Sequence, residues 1–192
     1  MRPDSRLGFD TRRTRLLGVG LITCAIAALL LFRGTASAQD VTEPALKAAF
    51  IYNFAKFTEW PPDGDVVPAT APFVICVLGD TAVGDALERA VKGRVVAGRS
   101  LAVSRLVLAA PQRACHVLYV SGVTAGQASQ LVAGLRDAPV LTISDLEGFT
   151  ELGGIAQFFF EHGQLRFSVD LGCAKRARLQ ISSRLLALAK HR

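Results

Sequence analysis

Phe73-Val74-Ile75-Cys76-Val77-Leu78-Gly79-Asp80, followed by Thr81-Ala82-Val83-Gly84-Asp85-Ala86-Leu87-Glu88-Arg89-Ala90-Val91, is the stretch on which the fold turns. Phe73–Leu78 is an unbroken apolar run rich in Val and Ile. Such a run reads as a strand buried on both faces, the pattern of parallel sheets. Gly79-Asp80 turns the chain. Thr81–Val91 then places Val83, Leu87, Ala90 and Val91 at helical spacing. A strand, a tight turn and a helix make the first half of a βαβ unit.

The same alternation continues downstream. Arg94–Ala97 is a short strand and Ser100–Ala109 a longer one, with Leu101, Val103, Leu106 and Leu108 apolar. Cys115–Val120 is a second buried strand. Ala125–Arg136 reads as a helix capped by Ser121 or Thr124, and Pro139–Ile143 as a strand. Ser144-Asp145 opens a short turn or helix through Phe149. Ile155–Glu161 and Gln164–Asp170 read as a hairpin, since the two-residue connector His162-Gly163 suits a tight turn. Gly172–Lys190 is expected to be one long helix, with Leu179, Ile181, Leu185, Leu186 and Leu188 as its apolar side. Upstream, Thr42–Trp60 is a helix with Pro44 in its first turn. Leu46, Phe50, Phe54 and Phe57 form its apolar stripe, and Trp60-Pro61-Pro62 stops it. The expected class is α/β: a mixed sheet flanked by helices, with a Rossmann-like parallel part, an antiparallel C-terminal hairpin and a long C-terminal helix.

Residues 1–38 have a different character. Five arginines (positions 2, 6, 12, 13 and 15) precede the apolar run Leu16–Phe32, and Ala36-Ser37-Ala38 follows as an A-x-A cleavage pattern. That order is a secretory signal peptide, cleaved after Ala38. A retained anchor is the alternative, but the run is short for the roughly 20 apolar residues that span a bilayer. The expected division is therefore 1–38 signal and 39–192 a single α/β domain in an oxidising compartment outside the cytoplasm. The charge follows the same division. The formal net charge is +6, and the leader holds six arginines against two aspartates, so the remainder carries only +2. Its basic residues are scattered apart from Lys175-Arg176-Ala177-Arg178, so nucleic acid is not an expected partner.

Chemistry is sparse. The glycine-rich dinucleotide fingerprint is missing around Gly79, and no G-x-S-x-G occurs. His116, His162 and His191 have no ligand-spaced partners. Glu147 and Glu151 flank a glycine loop without a second motif, and Asp63 and Asp65 lie in a proline-rich loop. No catalytic residue, metal or cofactor is expected. Cys76 and Cys115 sit in two apolar strand-like runs. They are either separate buried thiols or, outside the cytoplasm, a disulfide; the compartment favours the bond. Cys173 is left over. Phe158-Phe159-Phe160 is the remaining oddity. Either helices cover both faces of this part of the sheet, or Phe158 and Phe160, with Arg166 and Ser168 beside them, form a surface for a partner.

Several segments together resemble one known family. They are Ala45–Pro61 (ALKAAFIYNFAKFTEWP), Ile75–Asp80 (ICVLGD), Ala114–Ser121 (ACHVLYVS), Val140–Asp145 (VLTISD), Gly153–Phe158 (GGIAQF), and Ile181–Leu186 with Leu188-Ala189. In order and spacing they resemble the YfiR family across nearly all of 43–190. The resemblance implies a small periplasmic α/β protein, often a homodimer, that represses a membrane-anchored diguanylate cyclase (YfiN-like). It also implies possible capture by an outer-membrane lipoprotein (YfiB-like) and control through cysteine redox state. Cys76 and Cys115 fall in the two motifs that hold the family's structural disulfide. Some relatives carry a second cysteine pair nearer the C-terminus. Here Cys173 stands alone, so a second redox switch is not expected. The expected function is repression of the cyclase, lowering cyclic-di-GMP signalling. Its rivals are a small-ligand sensor serving another membrane receptor and an uncharacterised hydrolase.

Overall fold

The computed structural model describes residues 42–62, 71–109 and 113–190. The leader, Asp63, Asp65 and His191 lie outside the described residues.

Helix α1 (Glu43–Lys56) begins with Glu43 and Pro44 in its first turn and ends with Lys56 in its last, which suits both the missing proline N–H and the helix dipole. Strand β1 (Thr58–Glu59) follows at once. Then come β2 (Phe73–Leu78), α2 (Thr81–Val91), β3 (Val95–Val96), β4 (Arg99–Leu106), β5 (Val117–Val120), α3 (Ala125–Gly134) and β6 (Leu141–Ser144). The hairpin β7 (Ala156–Glu161) and β8 (Gln164–Val169) is followed by α4 (Leu171–Arg176), β9 (Gln180–Ile181) and α5 (Ser183–Leu186).

Seven strands form one sheet in the order β3-β4-β2-β5-β6-β7-β8. β4, β2, β5, β6 and β7 are mutually parallel, while β3 and β8 close the two edges antiparallel. The mixed α/β class expected from the sequence is therefore present. Side-chain alternation divides each apolar run between two cores. Ile75, Val77, Val117, Tyr119, Leu141 and Ile143 face the side covered by α1 and α2. Cys76, Leu78, Leu118 and Val120 face the other side, covered by α3 and by Phe149. The hairpin turns as expected, with His162 and Gly163 both at positive φ (51° and 75°), the backbone a two-residue primed turn needs.

Three expectations change. The first is the long helix over Gly172–Lys190, which does not form. Arg178 adopts a left-handed φ of 58°, and the Leu179 N–H donates back to the Ala174 carbonyl. Gln180-Ile181 then leaves as β9 and pairs antiparallel with β1, Thr58 opposite Ile181 and Glu59 opposite Gln180. The Ser182 N–H donates to the Phe57 carbonyl (2.9 Å), and the Ser182 hydroxyl caps the single turn of α5. The same pairing causes the second change, ending α1 at Lys56 before Trp60. Third, the buried face of α1 is centred on Ala48, Ile51, Phe54 and Ala55, so Leu46, Phe50 and Phe57 pack at its margins.

The connections change direction at the boundary between β2 and β5, because β2 leads through α2 to β4 on one side and β5 leads to β6 on the other. In open α/β sheets ligands occupy the crevice at the carboxyl ends of such strands. Here the crevice is shut. The Ser121 N–H donates to the Leu78 carbonyl (2.9 Å). Gly79, at φ 96°, lies so close to Ser121 that a Cβ there would fall 2.0 Å from the Ser121 carbonyl oxygen. Asp80 is occupied in capping α2, accepting from the Val83 N–H at 3.0 Å.

Gly79→Ala should therefore destabilise the protein by about 3 kcal/mol or more, combining left-handed strain with a backbone clash. Urea denaturation of the purified domain measures this. Glycine is required here only if the loss exceeds the ordinary cost of about 1 kcal/mol for a surface substitution.

Candidate functional site

At the carboxyl ends of β5 and β6 stands Lys47, a buried charged side chain, with two less buried carboxylates around it. Lys47 projects from α1 and is nearly inaccessible, its side chain 7% exposed. Its Nζ lies 2.6 Å from Asp145 Oδ2 and 2.6 Å from Glu43 Oε1. Asp145 follows β6 directly. The same Oδ2 accepts the Tyr119 hydroxyl (2.9 Å) and the Ser121 hydroxyl (3.5 Å), both from the end of β5. Ser144, buried, donates to the Val120 carbonyl and accepts the Leu146 N–H, fixing the turn that presents Asp145. One carboxylate thus ties the first helix to the ends of two central strands, across 98 residues of sequence.

Burial opposes ionisation of Asp145, but hydrogen bonds from Lys47, Tyr119 and Ser121 and the Lys47 charge outweigh it, holding the carboxyl below its ordinary range. Burial likewise opposes the Lys47 ammonium, and its bonds to Asp145 and Glu43 outweigh that, raising its pKa. Burial, then the nearby Asp145 charge, pushes the Tyr119 hydroxyl well up. All three groups are driven away from neutrality, the range in which a general acid or base works. The geometry ties α1 to the ends of β5 and β6 through one carboxylate.

Above it opens a pocket of about 380 Å³ that joins Glu43, Lys47, Asp145 and Glu147 to Phe159 and Phe160 of the hairpin. Of the four residues expected to form a partner surface, Phe158 and Phe160 line this pocket, and Arg166 and Ser168 do not. Phe158 lies opposite Phe167 and Phe160 opposite Leu165 on one face, whereas Phe159 lies opposite Arg166 and Gln157 opposite Ser168 on the other. Phe158 is buried (1% exposed), packed with Phe167 against Phe50 and Phe54 of α1 at ring distances of 5.0–6.0 Å. Ser168 is also buried. Phe160 stays 47% exposed at the hairpin tip, and Arg166 is half-buried. The four residues therefore do not make one patch. Helix coverage holds for the Phe158 face up to the tip, and Phe160 and Arg166 are what the hairpin offers outward.

Cys76 and Cys115 are joined, with Cα atoms 5.8 Å apart and both side chains buried on the α3 side. Cys173 is buried at the start of α4. Its sulfur accepts from Arg176 at 2.8 Å, and burial, then the neighbouring Asp170, raises its pKa. His116 accepts the Val74 N–H at Nδ1 (3.1 Å) and stacks on Phe73 at 4.4 Å. Glu147 reaches the pocket, while Glu151 accepts from Thr150 at 3.3 Å. Among the described residues no group of three His, Cys, Asp or Glu could hold a metal ion, and no helix is long and apolar enough to cross a membrane.

The sequence profile of the YfiR/HmsC-like domain matches residues 44–190, from the first turn of α1 to the residue that follows the last strand pairing and α5. This chain belongs to the YfiR/HmsC-like family. The family is a regulatory one of the periplasm, tied to cyclic-di-GMP signalling. No curated protein matches the chain. Three segments read earlier as YfiR-like supply the parts of the cluster: Lys47 in Ala45–Pro61, Tyr119 and Ser121 in Ala114–Ser121, and Asp145 at the end of Val140–Asp145. Sequence reasoning gave Lys47 and Asp145 no role. The signal available was Glu43 with Lys47, a four-residue helical pair on a helix otherwise apolar on that side.

Asp145→Asn should cost about 2 kcal/mol, because Lys47 keeps only the half-exposed Glu43 as a charge partner. Asp145 stabilises the fold above the carboxylate's unfolded pKa of about 4, and that stability is lost as pH falls through its lowered folded value. Lys47 contributes below the lysine's unfolded value of about 10.4 and loses this as pH rises through its raised one. Denaturation across pH should show an acid limb that is weaker in Asp145→Asn than in the parent. Equal limbs would remove Asp145 from this role.

The disulfide closes a 39-residue separation. The chain-entropy model assigns such a loop about 4 kcal/mol. The Cys76→Ala, Cys115→Ala double variant should lose a comparable amount in urea, and reductant should then have no further effect on its midpoint.

Proposed function

We propose that this protein is exported, loses its leader after Ala38, and acts as residues 39–192 in the periplasm to repress a membrane-anchored diguanylate cyclase of the YfiN-like kind. The observation that carries this reading is the family match across 44–190. A repressor of this kind alters the cyclase only through unequal affinity for its active and inactive states. A YfiB-like outer-membrane lipoprotein is the proposed competitor for the repressor, and a homodimer its proposed form.

The hairpin is the proposed contact, in the reduced form that its geometry allows. Phe160 supplies an exposed aromatic anchor beside the pocket, of the type that dominates interface energetics. On the opposite face, Arg166 Nε and Ser168 Oγ are buried without hydrogen-bond partners. Both atoms are shut off from the surface, so what this face offers a partner is the outer end of the Arg166 guanidinium, which donates to Gln164. The pinned charges support the same reading, since they fix α1, which packs on Phe158 and Phe167, to the ends of β5 and β6.

Deleting the gene should raise cellular cyclic-di-GMP where the cyclase is present, and re-expression should lower it. An unchanged level with the cyclase present would overturn the proposal. Phe160→Ala, which removes an exposed ring and should change stability by less than about 1 kcal/mol, should raise cyclic-di-GMP part of the way while periplasmic protein levels stay constant. Full repression by this variant would move the contact away from the hairpin tip.

A further inference from the structure

β7 outruns the strand beside it. Its pairing with β6 stops at Ser144 opposite Gln157, and the chain leaves the sheet at Asp145. From Phe158 to Glu161, β7 therefore has β8 on one edge and, among the described residues, no strand on the other. Two bonds give the direction of its backbone groups. The Ile155 carbonyl accepts the Asp170 N–H on the β8 side, and the Phe167 carbonyl turns away from β7 to accept the Lys190 N–H at 2.8 Å. Phe158 and Phe167 are thus a non-hydrogen-bonded pair of the antiparallel ladder. The same holds two residues on, for Phe160 and Leu165. The N–H and C=O of Phe160 point to the outer edge, beyond the reach of β6.

The pocket of about 380 Å³ lies where a longer β6 would run. Gln157, Phe158, Phe159 and Phe160 all line it, although their side chains alternate between the faces of the sheet. A space that meets both faces of one strand lies along its edge. Gln157 is 2% exposed, and its side-chain amide has no hydrogen-bond partner among the described residues. Unlike Arg166 Nε and Ser168 Oγ, that amide is not sealed from solvent, so its free donor and acceptor open on this space. Three carboxylates, Glu43, Asp145 and Glu147, line it against the single ammonium of Lys47. Glu147 is exposed and makes no side-chain hydrogen bond or ion pair among the described residues. The groove combines an open strand edge, an unpartnered buried amide and a net negative charge.

We propose that this edge takes an extended, basic segment of a partner protein as an added strand. The segment's main chain pairs with the N–H and C=O of Phe160, and its polar groups satisfy the Gln157 amide. Its lysine or arginine side chains meet Glu147 and Glu43. In strand addition the main chain supplies affinity and the side chains supply selection. An unprotected edge invites such pairing, and the charge of the groove selects a basic segment over an acidic one. The proposal rests on the hairpin being the partner contact; it does not depend on that partner being a cyclase.

Fluorescence anisotropy on the purified exported protein tests it, with labelled, end-blocked peptides as probes. The peptide TVRVRVT should bind saturably. TVEVEVT should bind at least about tenfold more weakly, since like charges then meet in the groove. TVRVRVT methylated at every central backbone nitrogen keeps its side chains and charge but loses its main-chain donors, and should not bind. Glu147→Lys, at an exposed position, should weaken TVRVRVT about tenfold and leave the melting temperature unchanged. Phe160→Pro removes the outward N–H without touching the ladder to β8, a placement that strand edges tolerate. It should abolish binding, whereas Phe160→Val, which keeps the N–H, should retain most of it. The proposal fails if TVRVRVT does not bind at low millimolar concentration, if the acidic or the methylated peptide binds as tightly, or if a folded Phe160→Pro binds unchanged. It fails equally if sedimentation shows a dimer that Phe160→Pro dissociates, because a second copy then holds this edge. Failure here, with cyclic-di-GMP still raised by Phe160→Ala, removes the added strand and leaves the cyclase reading standing. Peptide binding, with cyclic-di-GMP unchanged on gene deletion, does the reverse.

Discussion

Parallel strands have two apolar faces, and both must be kept from water. Five of the seven strands in this sheet are parallel, and their side chains alternate between two cores, so helices are required on each side. α1 and α2 supply one cover and α3 with Phe149 the other. The requirement relaxes only where the sheet becomes antiparallel. At the β7–β8 hairpin one face remains under α1 through Phe158 and Phe167, while the tip and the other face escape full cover. The part of the sheet left without full cover thus follows from where it stops needing two layers.

The first helix is the cover with the least local support. It stands far from the β6 turn in sequence, and its buried face is built from small residues, Ala48 and Ala55, that let it lie close to the sheet. Asp145 fixes it there by holding Lys47 while also receiving Tyr119 and Ser121. A buried ion pair adds less to stability than its short distances suggest, because both charges lose their hydration. Its contribution is geometric: a methylene surface in place of Lys47 could slide along the sheet, but an ammonium between two carboxylates has one low-energy position. The first helix therefore has one position relative to the strand ends.

Much of this was legible from the residues. The continuous runs Phe73–Leu78 and Cys115–Val120 announced buried parallel strands, His162-Gly163 announced the hairpin, and the two cysteines in those runs proved to be bonded. The C-terminal segment was misread because Leu179 and Ile181 fit both a helical and an alternating pattern. Only the remote pairing with Thr58–Glu59 decides between the two, and no local preference encodes it. The cluster was invisible for a related reason. A lysine inside an apolar helix looks like solvated surface until the aspartate that neutralises it is known, and that aspartate comes from the other half of the chain. Phe158 and Phe160 were assigned to one face correctly, but the depth at which α1 ends its cover is a tertiary quantity.

The closed crevice between β2 and β5 bears on how such a domain could acquire new ligands. In doubly wound proteins that bind dinucleotides, the crevice beyond the strand ends is open to the ligand. Here the obstruction is the Ser121 carbonyl resting on the Gly79 backbone. No point mutation removes a peptide group, so the crevice stays closed in any single variant of Ser121, whereas on the outer surfaces of the helical layers and the hairpin one side chain can open or fill a space.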